Sequence, residues 1–149
     1  MIMIREMNIA DYAAMYYLWS NTEGMGLSEA DTLPQIERYL ERNPGCSYVA
    51  VNLSYPEHQA VIGTLLAGHD GRRAYLYHMA VAVEARGHGI AKDLLARSME
   101  ALERQGIDKA HIFVMSSNAE GKSFWAASGW EKRTALDVFS REIKSSPPN

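Results

Sequence analysis

Arg86-Gly87-His88-Gly89-Ile90-Ala91 stands directly after the apolar run Val81-Ala82-Val83 and opens a helical pattern that uses Ile90, Leu94, Leu95, Met99 and Leu102. A helix start leaves about four backbone N–H groups without partners and concentrates positive potential there. Glycines at such a junction let a bulky anion approach the backbone, so the segment predicts a pyrophosphate cradle. Arg86 and Lys92 would add charge-assisted hydrogen bonds. The alternative is a helix start that merely contains glycines. The Gly-Lys-Ser/Thr of a P-loop is absent, and so is the third glycine of a dinucleotide fingerprint.

Proton-transfer chemistry has fewer candidates. His78 is ionisable near neutrality and lies within the apolar run Ala74 to Val83. Strand alternation would put it on the face opposite Tyr75 and Tyr77, as a partly buried strand histidine or as a base. Glu23, Glu29 and Asp31 lie in the loop Thr22 to Asp31. They either attract an ammonium-bearing acceptor or are solvated carboxylates at a helix start. His69-Asp70-Gly71-Arg72-Arg73 reads as an exposed turn or as a recognition loop.

These residues need a frame, and the rest of the chain supplies one. At 149 residues, 47% apolar and 22% charged, the composition is that of one globular domain with a real core. The net charge of −3 provides no basic field for nucleic acid or an anionic membrane, so a polyanion must be held by local donors. The single Cys46 excludes an internal disulfide and a cysteine metal cluster, and no metal site is expected. No apolar run reaches membrane-spanning length and no signal peptide is apparent. A cytoplasmic protein is expected.

Periodicity orders the elements. A short opening strand ends at Met7. Asn8 then caps a helix that uses Ile9, Tyr12, Ala13, Tyr16 and Trp19, and a second helix carries Pro34 in its first turn. Ser47–Leu53 and Ala60–Gly68 form a hairpin, and Ala74–Val83 is a buried strand. The long helix ends at Gly106. Ala110–Met115 is a fifth strand, and Asn118 opens a short helix. One or two final strands are expected through residues 131–133 and 136–143. The tail, residues 145–149, is expected to be disordered.

Arg86-x-x-Gly89-x-Ala91 resembles the Arg/Gln-x-x-Gly-x-Gly/Ala signature of the GCN5-related N-acetyltransferase (GNAT) superfamily. Asn118-x-x-Gly121-x-x-Phe124-Trp125-x-x-x-Gly129-Trp130 is similar to that family's Asn-x-x-Ala-x-x-Phe-Tyr-x-x-x-Gly-Phe. Strong matches cover residues 75 to 130, and the element order matches over nearly the whole chain. The resemblance implies an α+β (mixed α/β) domain over residues 1–144. Its sheet would have six to seven strands, splayed between strands four and five, with helices on both faces. It implies acetyl-coenzyme A as cofactor, with the pantetheine pairing with the backbone of Met79, Ala80 and Val81. The pyrophosphate would sit on the amides of Arg86, Gly87, His88, Gly89, Ile90, Ala91 and Lys92. Asn118 would hydrogen-bond the pantetheine, although a plain helix N-cap fits the same position. Phe124 and its neighbour Trp125 would pack near the cofactor.

The implied reaction is acetyl transfer to a primary amine of a small molecule or peptide by direct attack in a ternary complex. An alkyl amine with a pKa near 10.4 is neutral to only about one part in ~10³ at pH 7, so a base or proton path matters. Where relatives often carry Glu or His on the fourth strand, this chain has Tyr75 and Tyr77. Tyr77 therefore joins His78 as a catalytic candidate. Where many relatives have a Tyr acid, it has Trp125, an indole donor that is no proton source. Glu23 and Glu29 are the acceptor-side candidates. A non-catalytic acyl-coenzyme A sensor and a cofactor-free scaffold are the alternatives. Homodimers are frequent in the family, and neither nucleic acid nor a membrane is an expected partner.

Overall fold

A computed structural model describes residues 1–144; the predicted tail, residues 145–149, lies outside them. The chain falls into two compact units, Met1–Phe113 and Val114–Asn149, the second described to residue 144. No described helix is long and apolar enough to cross a membrane.

The first unit begins with β1 (Ile2–Glu6) and a short 3-10 turn, Ile9–Asp11, that leads into α1 (Tyr12–Ser20). The turn is held by a capping box. Asn8 Oδ1 accepts from Ala10 N at 2.8 Å, Asp11 Oδ2 accepts from Asn8 N at 2.9 Å, and Arg5 grips Asp11 through both Nη atoms. A second 3-10 turn, Glu29–Asp31, precedes α2 (Leu33–Arg42), which opens on Pro34 as expected. Then come β2 (Tyr48–Asn52), β3 (Val61–His69), β4 (Ala74–Val81), α3 (Ile90–Arg104) and β5 (Ala110–Ile112).

The sheet order is β1-β2-β3-β4-β5. All pairs are antiparallel except β4–β5, which is parallel because α3 returns the chain to the same end. Helices cover both faces. Trp19 of α1 reaches Thr64 of β3, and Met15, Leu18, Trp19, Ile36, Val49, Val51, Leu66 and Ala80 share one core on that face. Gly63, one residue along β3, faces the other way. A Cβ there would stand 3.0 Å from Ile90 and 3.2 Å from Leu94 of α3.

One irregularity governs the middle of the sheet. Thr64 pairs with Ala80 and Leu66 pairs with Tyr77, so β4 carries one residue more than β3 between those points. The surplus is a β-bulge at His78, whose φ of +50° is left-handed. Such a conformation costs a non-glycine residue about 1–3 kcal/mol and persists only where its surroundings hold it. Here they do. Trp19 Nε1 donates to Thr64 Oγ1 at 2.9 Å, and Thr64 Oγ1 donates to the His78 carbonyl at 2.8 Å. Trp19 and Thr64 are both fully buried. The bulge cancels strand alternation. Tyr77, paired with Leu66, and His78, against Trp19, share the α1–α2 face. The expectation that they lie on opposite faces is overturned.

The second unit holds α4 (Ala119–Ala127), with Asn118 Oδ1 accepting from Gly121 N at 2.9 Å. Trp125 packs edge-on against Phe124 and Trp130, at centroid distances of 5.1 and 4.8 Å. The expected final strands are absent among the described residues. The sheet has five strands rather than six or seven. The stretch is rich in apolar side chains at Leu136, Val138, Phe139 and Ile143, of which only Leu136 and Val138 keep the spacing of adjacent same-face strand positions, and all are exposed. Residues 131–144 make no backbone hydrogen bond among the described residues. A strand exists only where a neighbouring backbone pairs with it.

Thr64→Val keeps shape but strips the buried Trp19 N–H and the His78 carbonyl of their partner. It should lower unfolding free energy by roughly 1–3 kcal/mol in a urea titration, and Thr64→Ser should recover most of that.

Candidate functional site

β4 and β5 pair only at Ala74↔Ala110, Tyr75↔His111 and Leu76↔Ile112. Beyond Leu76 the strand runs on through Val81 with no paired strand on that side among the described residues. The predicted splay between the fourth and fifth strands is therefore present. Ala82 N donates to Ile62 O at 2.8 Å, and backbone direction alternates along an antiparallel pair. Ala80 accordingly turns its N–H and C=O toward β3, whereas Val81 turns its own to the open side. The expectation that Met79, Ala80 and Val81 all offer backbone to a ligand is corrected at Ala80, whose polar groups are spent within the sheet.

Past Val81 the chain makes a 3-10 turn, Val83–Ala85, and enters α3 through Gly87 at φ +84° and Gly89 at φ +78°. Gly89 is the N-cap, and no side chain caps the helix. The first bond of that end is Asp93 N to Gly89 O at 3.0 Å. The N–H groups of Ile90, Ala91 and Lys92 are thus the orphans of the helix start. Nothing lies within 4 Å of the place a Cβ would occupy on Gly89. Arg86 ties the turn to the strand, Nε donating to Val81 O at 3.0 Å. His88 Nδ1 lies 3.2 Å from Ala85 O, and both His88 and Lys92 are exposed. An open strand edge thus runs directly into an uncapped helix start, an arrangement able to hold an extended ligand that ends in phosphates. A recess of about 240 Å³ beside it is lined by Tyr17, Asn21, Tyr55, Val81, Val83 and Arg86, among others. The larger recess, about 460 Å³, lies at the far end of α3, against Gly106 and Ala110.

On the α1–α2 face the bulge gathers the polar groups. His78 Nε2 lies 2.7 Å from Asp31 Oδ1, both side chains nearly buried, and the imidazole rests edge-on against Trp19 at 4.8 Å. Asp31 Oδ2 accepts from Ser28 N at 2.9 Å, and the Asp31 carbonyl accepts from Tyr12 Oη at 2.6 Å. Tyr77 is edge-on to Tyr39 of α2 and to Phe113 just past β5, each at 6.5 Å. Asp31 was read from sequence only as one of three carboxylates of the loop before α2, and Trp19 and Thr64 were not singled out as site residues. The one legible signal was Ser28-x-x-Asp31, which has the spacing of a capping box.

The remaining candidates are placed more simply. Glu23 and Glu29 are exposed and form no ion pair among the described residues. His69–Arg73 is a hydrogen-bonded turn in which Asp70 Oδ1 accepts from Arg72 N and Arg73 N, and those bonds lower the Asp70 pKa. In the second unit Asn118 is a helix N-cap, Phe124 is half-buried and Trp125 is buried. No cluster of His, Cys, Asp and Glu able to hold a metal occurs among the described residues.

With this geometry in hand, the comparisons with known proteins are specific. A sequence model of the Acetyltransferase (GNAT) family matches residues 12–130. An acetyltransferase of Photorhabdus laumondii is 31% identical over 115 residues, spanning 77% of this chain and 76% of its own. One from Pectobacterium atrosepticum is 31% identical over 109 residues, 72% of each chain. The chain belongs to the GNAT acetyltransferase family. Among solved structures, the fold is shared with the aminoglycoside acetyltransferase AAC(6')-Iy in complex with a coenzyme A bisubstrate analogue. That match has a TM-score of 0.74 at 20% identity, covering 97% of this chain and 99% of that one. It is also shared with Ard1 of Thermoplasma volcanium, with a TM-score of 0.72 at 18% identity, covering 86% and 81%.

The two phenols near the site are donors rather than bases. Burial, then the neighbouring Tyr75, pushes the Tyr77 pKa up, and burial pushes Tyr39 up further. The Tyr39 hydroxyl is buried without a partner, 2.8 Å from where a Gly68 Cβ would stand. A raised folded-state phenol pKa stabilises fully below the ordinary value near ~10 and is lost as pH rises through the folded value. Tyr39→Phe should therefore gain about 1 kcal/mol at pH 7 and flatten the loss of stability above pH ~10, measured by denaturant titration across pH.

Proposed function

We propose that residues 1–144 act as one acetyl-coenzyme A-dependent N-acetyltransferase domain that acetylates a primary amine of a small molecule or peptide by direct attack. The observation that carries this reading is the open edge of β4 running into the uncapped start of α3, with left-handed glycines at Gly87 and Gly89. Those residues fit coenzyme A. The outward N–H of Val81, whose carbonyl already accepts from Arg86 Nε, suits a pantetheine carbonyl, and the amides of Ile90, Ala91 and Lys92 suit a pyrophosphate. Arg86 and Lys92 supply charge. The acetyl thioester, when bound, supplies a carbonyl carbon activated by a fair leaving group. The family resemblance adds Asn118, Phe124 and Trp125 as cofactor residues. It leaves His78 as the candidate for taking the proton of the amine, Tyr77 as a hydrogen-bond donor in the catalytic site, and Glu23 and Glu29 as exposed acidic groups on the acceptor loop. The relative solved with a coenzyme A-linked acetylneamine analogue supports both the cofactor and an amine acceptor.

Calorimetric titration with acetyl-coenzyme A tests the cofactor. Saturable binding is expected, and none at millimolar cofactor would sink the reading. Gly89→Trp fills the phosphate approach and should weaken binding by roughly 10²-fold or more, circular dichroism confirming the fold. Release of free thiol over polyamines, amino acids, aminoglycosides and lysyl peptides then separates enzyme from sensor. Release with none of them, despite binding, favours the sensor.

A further inference from the structure

We infer that Asp31 is a positioning residue which fixes His78 as the proton acceptor for the incoming amine, an inference that rests on the acetyltransferase reading above. The hydrogen-bond inventory sets the direction. Asp31 Oδ2 already accepts from Ser28 N, and an ionised carboxylate can only accept. The 2.7 Å contact to His78 Nε2 therefore has the imidazole as donor, which puts the proton of the neutral ring on Nε2. Nδ1 is left with its lone pair. It has no hydrogen-bond partner among the described residues, yet the buried side-chain atom without a partner is Tyr39 Oη and not Nδ1. Nδ1 is thus not fully buried, whereas Nε2 is tied to Asp31.

Nothing about the pair is loose. The 3-10 turn Glu29–Asp31 is closed by the Ser28–Asp31 capping box, Tyr12 Oη holds the Asp31 carbonyl, and Trp19 seats the ring. The histidine backbone adopts a left-handed φ of +50° in the bulge, and the Thr64 hydroxyl fixes its carbonyl. The loop between α1 and α2 and the unpaired stretch of β4 therefore meet at one hydrogen bond. This is the arrangement in which a carboxylate sets imidazole tautomer and orientation so that the opposite nitrogen can take a proton.

The chemistry balances. The ammonium of the acceptor gives one proton to His78 Nδ1, from which it passes to solvent. The freed nitrogen lone pair forms the C–N bond to the acetyl carbon as the C–S bond breaks, its electron pair leaving with sulfur. The second nitrogen proton neutralises that thiolate. Ammonium and thioester become amide, thiol and one released proton.

The test exploits the backbone. Glycine adopts φ +50° without strain, so His78→Gly removes the imidazole and keeps the bulge. With spermidine, neamine and a lysyl peptide as acceptors, kcat should fall roughly 10²-fold or more while calorimetric affinity for acetyl-coenzyme A holds. Added imidazole should restore at least part of that loss in His78→Gly but not in His78→Gly/Asp31→Asn, where nothing orients the free ring. Independently of turnover, the ¹⁵N-histidine spectrum of the free protein should show His78 protonated at Nε2, and Asp31→Asn should abolish that preference. Wild-type kcat in His78→Gly, imidazole rescue that ignores Asp31, or an Nδ1–H tautomer would each overturn the inference. Failure of the wild-type protein to bind acetyl-coenzyme A would instead strike the reading beneath it.

Discussion

The hydroxyl of Thr64 takes a hydrogen bond from Trp19 and gives one to the His78 carbonyl, and much of this molecule's chemistry depends on that buried chain. Without it the extra residue in β4 would have no reason to remain in a left-handed conformation. With it, the strand changes phase at one point, and two neighbouring side chains that regular pleating would separate emerge on one face. Tyr77 then meets Tyr39, and His78 meets Asp31. The strain of the bulge is offset by packing already present in the core, since Trp19 and Thr64 belong to the apolar face between α1 and the sheet. Stability and site geometry share the same atoms.

The same strand performs a second task with its backbone. Past Leu76, β4 no longer pairs with β5, while β3 still holds it on the other side. An edge left unpaired this way offers directional donors and acceptors to any extended chain, which is the geometry that β-augmentation uses. Because the glycine turn follows within a few residues, a ligand laid along the edge arrives with its far end at the helix start of α3. A basic field over the whole molecule is not needed for this, which agrees with the acidic balance of the chain.

How far the residues alone reached can be judged from particular positions. The glycine turn before α3 was legible because its signal is local: glycines, a preceding apolar strand and a following amphipathic helix lie within a short stretch. The caps at Asn8 and Asn118 and the start of α2 at Pro34 were legible for the same reason. The C-terminal stretch shows the reverse. Leu136, Val138, Phe139 and Ile143 supply the apolar content of a strand, but content describes only what a segment can do if a neighbour is available. Ala80 shows it on a finer scale, since which residues of an edge offer their backbone depends on register with β3.

The sequence by itself determined the family, the order of elements as far as α4, the place of the glycine turn and the departure at Trp125, because motifs and periodicity are properties of nearby residues. Only the tertiary structure decided that His78 meets the loop between α1 and α2, that Asp31 rather than Glu23 or Glu29 is the engaged carboxylate, and where β4 loses β5. Each of those depends on groups far apart in sequence meeting through a register shift of one residue. A bulge inverts facing without changing composition, so no count of apolar and polar positions along β4 could reveal it.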